Sequence, residues 1–403
     1  MDVSLVVDSV RRRPRGTADH DTGRGTLWGV LIALVSDCYA PRLGGIEVHV
    51  GDLAAHLRTA GHTVRVITAT PGEPEVGLLR LIPPVPLGVP INPWAGPALK
   101  SLLRGADVVH VHMGIVAPFA HQAASIAVEQ GTPTVLTWHS LVAGSPATRV
   151  LAASWRAWVD AGAVPTAVST VAAAQVAQIV HRPHVEVLRN GLDLARWQPD
   201  GPLPHPTDDG PAHLVSATRF AVRKRPGALI AMMARVRAAM APEQRPTLTI
   251  LGNGPWLAPL RQVVGRSSMR AWVDLPGRVP RADLLEIYGR ADLYVAASRR
   301  EAFGIAALEA RTAGLPTAGY AGSGVADIVK DGVGGVLATS DADMVERLCA
   351  LLSDRGRLRA MSVYHREHVL TAHDWPRVAR DTLHTYSSMR RQEDARTDRS
   401  SHR

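Results

Sequence analysis

The sequence predicts an α/β protein of two doubly wound, parallel-sheet domains that face each other across a central cleft. Three observations predict it. The chain has 403 residues, more than a single hydrophobic core usually serves. Short β-branched runs alternate with helical patterns, the arrangement that gives parallel sheets with crossover helices. The alternation stops once, at the Pro/Gly-rich stretch from Pro199 to Pro211, and then restarts, so this stretch is the linker.

The elements follow in order. Residues 27–36 read as a buried strand. Ile46, Val50, Leu53, Ala54, Leu57 and Ala60 recur at helical spacing, and Gly61 stands where a glycine ends a helix. Strands follow at 64–68, 108–112, 134–138 and 185–188, and Asn190-Gly191 makes a turn. Beyond the linker, strands are predicted at 214–218, 247–251, 272–275, 293–297 and 335–337. Helices are predicted at 228–240, 256–264, 281–290, 305–313 and 343–352. The first domain then spans 27–203 and the second 204–365, with a helix over 366–386 packing back on the first. Residues 1–26 and 387–403 are polar without periodicity and read as a disordered leader and tail.

Composition narrows the function. With 46% hydrophobic and 20% charged residues, the chain is globular rather than disordered. Cys38 and Cys349 are too few and too far apart for a disulfide framework and fit a reducing compartment. No apolar run reaches the roughly 18–20 residues of a membrane-spanning helix. Arg11-Arg12-Arg13 follows a very short apolar piece, the reverse of a secretory signal. The expected location is the cytoplasm. Lys and Arg total 45 against 36 acids, a net charge of +9, nearly all of it arginine. No basic cluster is interleaved with aromatics and no zinc spacing appears, so nucleic acid is not an expected partner. The surplus suits an anionic small molecule or an acidic membrane surface.

Ligands of doubly wound sheets sit beyond the carboxyl ends of the strands, so function is expected in the loops there. Gly44-Gly45 opens the first helix and lets a phosphate or sugar approach backbone at a helix N-terminus. In the second half Arg219 ends a strand and Arg223-Lys224-Arg225 follows, cations suited to a diphosphate whose charge grows as a bond breaks. Gly252-Asn253-Gly254-Pro255 offers backbone at the next strand end. Glu301 closes a strand and Glu309 lies eight residues on, along the next helix. A carboxylate at the loop end can hold sugar hydroxyls, and the second can reach a ribose diol. The free N–H groups of Phe303, Gly304 and Ile305 can meet phosphates.

Over roughly 27–385 these residues resemble the retaining glycosyltransferases of family 4, which have the GT-B fold. The carriers are Gly44-Gly45-Ile46-Glu47-Val48-His49-Val50, Thr137-Trp138-His139-Ser140, Asn190-Gly191-Leu192-Asp193, Arg219 with Lys224, Gly252-Asn253-Gly254-Pro255, and the Glu301 to Glu309 element. The resemblance implies transfer of a hexose from a nucleotide-diphosphate sugar (GDP-mannose, UDP-glucose or UDP-N-acetylglucosamine) to a hydroxyl acceptor, with retention and with no metal or other cofactor. The acceptor classes are a lipid, a glycan or a natural product. A lipid acceptor would bring the protein to the inner membrane face. The resemblance also implies that Arg219 and Lys224 stabilise the departing diphosphate, Glu301 lies beside the sugar, and Glu309 holds the ribose. His139 would contact the donor sugar near the reacting carbon, Gly45 would approach the phosphate, and Arg278 and Val279 would line the base. The family's usual Gly-Gly-x-x-Glu is here Gly322-Ser323-Gly324-Val325-Ala326-Asp327, whose shorter acid puts the local loop contact in question. An epimerase or hydrolase of nucleotide sugars on the same scaffold, and a sugar-binding protein without activity, are the rival readings.

Other signals are assigned to structure. Asp341-Ala342-Asp343 has a metal-binding spacing but begins a helix, with Ser340 and Asp343 as its cap. His110 and His112 share a strand face with no third ligand in sequence reach, so they are expected as a structural or cleft-lining pair. Trp155 and Trp158 read as a core stripe, with a membrane- or acceptor-facing patch as the alternative. Residues 94–104 make a second candidate of that kind.

Overall fold

The computed structural model describes residues 29–42, 44–84, 91–198 and 210–401, with side chains to Met389. The leader 1–26 and linker residues 199–209 lie outside the described residues. The first domain holds β1 (Leu31–Ser36), β2 (Thr63–Thr68), β3 (Leu78–Arg80), β4 (Val108–Met113), β5 (Thr134–Trp138), β6 (Val164–Ala167) and β7 (Glu186–Val187). The second holds β8 (His213–Ala217), β9 (Thr247–Leu251), β10 (Val273–Gly277), β11 (Leu293–Val295), β12 (Thr317–Tyr320) and β13 (Gly335–Ala338). Every pairing between them is parallel. The orders are β3-β2-β1-β4-β5-β6-β7 and β10-β9-β8-β11-β12-β13. Each is a doubly wound Rossmann-like sheet.

Strands β3, β6 and β12 are additions to the sequence reading. Leu78–Arg80 is three residues long, Pro165 interrupts β6, and Ala318-Gly319 gives β12 little strand propensity. Strands β6 and β12 pair on both sides, which overrides their local weaknesses, whereas the short β3 is held at the sheet edge by β2 alone. The central strands β1, β4 and β5 of the first sheet are buried almost throughout, as parallel strands covered on both faces must be.

The first sheet's helices include Gly45–Thr59, whose Val50, Leu53, Ala54 and Leu57 are buried, and Pro118–Glu129, which turns five residues inward. Trp155 and Trp158 are core residues of the helix Pro146–Asp160. One apolar cluster runs across both domains, joining Val142, Ala172 and Trp197 to Phe303, Leu308 and Val325.

The last helix, Trp375–Ser401, is helical well past residue 387, where the sequence reading places a disordered tail. That segment is polar but holds neither glycine nor proline, so nothing stops the helix. The preceding helix, Arg355–Glu367, occupies the start of the 366–386 segment. Trp375, Val378, Tyr386 and Met389 join a core cluster of first-domain residues. Gly191 seats this packing, because a Cβ there would stand inside the Trp375 ring. The backbone of Leu192 donates to the carbonyl of His373 at 2.7 Å, and His373 Nδ1 lies 3.0 Å from the carbonyl of Asn190. The Asn190-Gly191 turn is thus a docking site for the C-terminal segment.

Candidate active site

Both sheets reverse strand order beside their first strand, between β1 and β4 and between β8 and β11. Connections diverge there and open a crevice at the carboxyl ends. Gly44 and Gly45 follow β1, His139 follows β5, Arg219 and Lys224 follow β8, and Gly252 and Gly254 follow β9. Arg278 and Val279 follow β10, and Glu301 to Glu309 follows β11.

On the second-domain side, Lys224 Nζ lies 2.5 Å from Glu301 Oε2, both side chains partly exposed. Arg219 is exposed, and its charge acts on Cys38 and Glu47 across the cleft. Arg225 is taken elsewhere. It adopts a left-handed conformation, φ 60, and its guanidinium grips both oxygens of Asp341 at 3.0 and 2.5 Å. Tyr320 donates to the same carboxylate at 2.6 Å. The Arg225 hydrogen bonds hold the Asp341 carboxyl down to about 2. Asp343 accepts from the backbone of Thr339 at 2.7 Å, and its own N–H donates to Ser340 Oγ at 3.1 Å. The Asp341-Ala342-Asp343 spacing therefore serves a helix cap and an Arg clamp. Lys224, paired with Glu301, and the exposed Arg219 are not drawn into that clamp.

Glycines allow the loops to converge. Gly252 has φ 126, and a Cβ there would overlap the carbonyl of Thr218; one at Gly254 would overlap that of Phe220. These two positions hold the loops after β8 and β9 against each other. Gly304 has φ 99 and precedes the helix Ile305–Thr312, leaving that helix N-terminus without a side-chain cap. The uncapped N–H groups of the first turn are open to a ligand. Phe303 is buried, its ring 5.2 Å from that of His373. Across the cleft, a Cβ at Gly45 would lie 3.2 Å from Ile305 Cδ1. The Gly44-Gly45 loop and this helix N-terminus therefore meet.

Glu309, four residues into that helix, is buried, and burial pushes its carboxyl up to about 7 despite the Arg281 guanidinium 3.0 Å away. The sequence reading did not single out Arg281. It stacks over Trp197 at 5.5 Å and orients Glu309. A cation one helix away in sequence carries no local pattern that would reveal this. Arg278 is exposed and Val279 half-buried, directly after Gly277.

The first-domain wall is built of histidines. His139 Nε2 and His112 Nδ1 lie 2.9 Å apart, and His49 packs 5.3 Å from His139 and 5.8 Å from His112. One ring nitrogen from each of the three falls within 4.8 Å of the others. The expectation that His112 has no third potential ligand near it is thus corrected, since strand ends and the first helix bring together residues 27 and more positions apart. His110 joins the wall from below, its ring nitrogens 2.7 Å from Tyr386 Oη and 2.6 Å from Thr137 Oγ1. Burial lowers His49 to about 4 and His110 to about 3, and it puts His112 and His139 well below the usual imidazole range. All four are neutral at physiological pH. The hydrogen-bond and ring partners of His139 come from the first domain, so it stands apart from the Lys224–Glu301 pair.

The shorter acid of the Gly322 to Asp327 loop reaches the first domain. Asp327 accepts from the backbone of Thr170 at 2.7 Å and from the Thr170 hydroxyl, capping a first-domain helix from the second domain. Ser169 Oγ donates to the carbonyl of Ala302 at 2.5 Å, and Arg300 donates to that of Ala143 at 2.5 Å. The loop carrying Glu301 is thereby tied to the first domain on both flanks. Gly324 fits because a Cβ would overlap the carbonyl of Ala302.

Comparison with known proteins agrees with this arrangement. Residues 43–196 match the model of Glycosyltransferase Family 4, and residues 203–368 that of Glycosyl transferases group 1. The chain is 29% identical over 407 residues to a glycogen synthase of Mycobacterium tuberculosis, covering 90% of this chain and 95% of that one. It is 27% identical over 375 residues to the phosphatidylinositol N-acetylglucosaminyltransferase gpi3 subunit of Schizosaccharomyces pombe, covering 88% and 80%. The crystal structure of Anabaena HepE in complex with UDP and glucose superimposes with a TM-score of 0.68 at 16% identity, covering 89% of this chain and all of that one. With the two family models covering its two domains in order, the chain belongs to the family 4 glycosyltransferases of the GT-B fold.

Proposed function

We propose that this glycosyltransferase moves a hexose from a nucleotide-diphosphate sugar to a hydroxyl acceptor with retention at the anomeric carbon and without a metal. The observation that carries the reading is the placement of Lys224 and Glu301 in contact beside the open N-terminus of Ile305–Thr312, facing Gly44-Gly45. A diphosphate there meets two cations and a row of free N–H groups, so charge developing on the leaving group is met by groups already in place. Glu301, held by Lys224, faces the sugar. Glu309, held by Arg281, offers its remaining oxygen to the ribose diol, and Arg278 and Val279 line the base. Among the described residues that line the cleft, none is assigned as a nucleophile. The reading is therefore a front-face displacement, in which the departing diphosphate takes the acceptor's proton and His139 contacts the donor sugar from the first domain.

The donors consistent with this site are GDP-mannose, UDP-glucose and UDP-N-acetylglucosamine. Protection against thermal unfolding by one of them identifies it, and failure of all three would overturn the reading. Arg219→Ala and Lys224→Ala are expected to lower turnover on the order of 10²–10³-fold, about 3–4 kcal/mol of lost charge stabilisation. Near-normal turnover in both would remove the assigned role. Turnover unchanged by a chelator supports the metal-free chemistry, and its loss would point to the His49, His112 and His139 trio. Among the described residues no helix is long and apolar enough to cross a membrane. A lipid acceptor would be met by peripheral contact with an anionic surface, for which the basic charge and the exposed Trp94 are the available features. Transfer to a lipid-linked acceptor in anionic vesicles, compared with a soluble glycan, decides between those acceptor classes.

A further inference from the structure

The second domain buries a cation that the proposed reaction does not use. Arg311 lies near the end of the helix Ile305–Thr312, about 10 Å along its axis from Gly304. Its residue surface is only 4% exposed. Its Nη2 donates to the carbonyl of His368 at 2.9 Å, and its Nε has no partner. No carboxylate among the described residues lies within ion-pair distance of it. Burial lowers its pKa to about 10. An unpaired buried charge costs several kcal/mol, and a guanidinium has five N–H donors to satisfy.

Arg311 lines a cavity of about 250 Å³ together with Thr312, His365, Arg366, Leu370 and Gln198. Arg366 has no ion-pair partner among the described residues, so two guanidinium-bearing side chains share one cavity without a counter-charge. His365 is 2% exposed. Its Nε2 lies 2.5 Å from the carbonyl of Gly334, which places the proton there and makes Nδ1 an acceptor. That Nδ1 is also unpartnered. The walls come from both crossings between the domains, with Gln198 before the linker and Leu370 on the return.

We infer that this cavity is a second ligand site, at the crossings between the domains, for a small phosphate monoester carrying hydroxyl groups. The phosphate would take the free donors of Arg311 and Arg366, a pairing suited to a planar guanidinium. A hydroxyl of the organic part would meet Gln198 or Thr312, which line the same cavity. The volume is below the roughly 300–1,000 Å³ of drug-sized pockets, which selects a sugar phosphate over a nucleotide.

Calorimetric titration of the full chain with glucose 6-phosphate, inorganic phosphate and glucose tests the site without reference to turnover. Saturable binding of glucose 6-phosphate is expected, with weaker binding of inorganic phosphate and none of glucose. Equal binding of the two phosphates would show that the ester's organic part is not recognised and would overturn the sugar-phosphate assignment. Arg366→Gln, at a partly exposed position, is expected to weaken binding at least tenfold. Arg311→Met is expected to abolish it while leaving the unliganded melting temperature unchanged or raised. Absence of saturable binding in the wild type would overturn the inference. So would binding that survives both variants but is lost in Arg219→Ala, because that result places the phosphate in the donor site.

Discussion

Glu309 shows how one residue's surroundings set a measurable property. Burial raises its carboxyl to about 7, and Arg281 opposes that rise. The proposed ribose contact needs an acceptor, so donor affinity should improve as pH rises through about 7, and KM for the donor should climb below it. Glu309→Gln should raise KM and flatten this limb; an unchanged pH profile in that variant would remove Glu309 from donor binding. The stability effect has the opposite sign. A raised acid pKa means the folded state holds its proton longer, so this group withdraws stability as pH rises from about 4.5 toward 7. The position of Glu309 on the helix after Glu301 was legible from their spacing, whereas its ionisation was not, because Arg281 arrives from another helix.

At the scale of elements, the helix Ile305–Thr312 is the site's organiser. Its N-terminus is open because Gly304 is left-handed at φ 99 and supplies no cap. Gly304→Ala forces an L side chain into that conformation, and the added Cβ would come within 3.1 Å of Val325 Cγ2. The expected loss is about 1–2 kcal/mol of stability, together with weaker donor protection in thermal unfolding. A variant as stable and as well protected as the wild type would show that the loop tolerates another path. The sequence marks this element clearly, since a strand end, a glycine and a helical run adjoin one another. It marks the ties that hold the element much less well. Asp327 capping Thr170–Val180 and Ser169 reaching Ala302 join positions more than 130 residues apart, and no local period encodes such pairs.

Across the whole molecule, the first domain encloses a column of neutral histidines closed by the C-terminal helix. His49 stacks on Trp375 at 5.5 Å and Trp375 on His56 at 4.9 Å, while Tyr386 meets His110. Lowered folded pKa values mean that the unfolded chain takes up protons first as pH falls. Stability should therefore decline from about pH 6.5 downward, through the values of about 4 for His49 and about 3 for His110. At about 1.4 kcal/mol per pKa unit, His49 alone accounts for on the order of 3 kcal/mol by pH 4. Melting temperatures across that range check this, and His49→Phe should shallow the slope. Flat stability between pH 6.5 and 4.5 would contradict it. Trp375→Ala should cost about 3–5 kcal/mol, the usual range for emptying a buried Trp site. An unaltered melting temperature would mean that the C-terminal helix is not a structural part of the first domain.

The sequence by itself determined the two-domain parallel architecture and most strand positions, because those depend on hydrophobic period and chain punctuation, which are local. It also placed the residues proposed for the donor in loops at one edge, since loops after the strands of such a sheet must gather there. The tertiary structure alone decided which acid each cation meets and which histidines meet. Arg225 and Lys224 are neighbours in sequence, yet one is clamped by Asp341 and the other pairs with Glu301 at the cleft. His49, His112 and His139 come from three separate elements. Charge pairing and desolvation act over a few ångströms of space, and only the folded chain sets those distances.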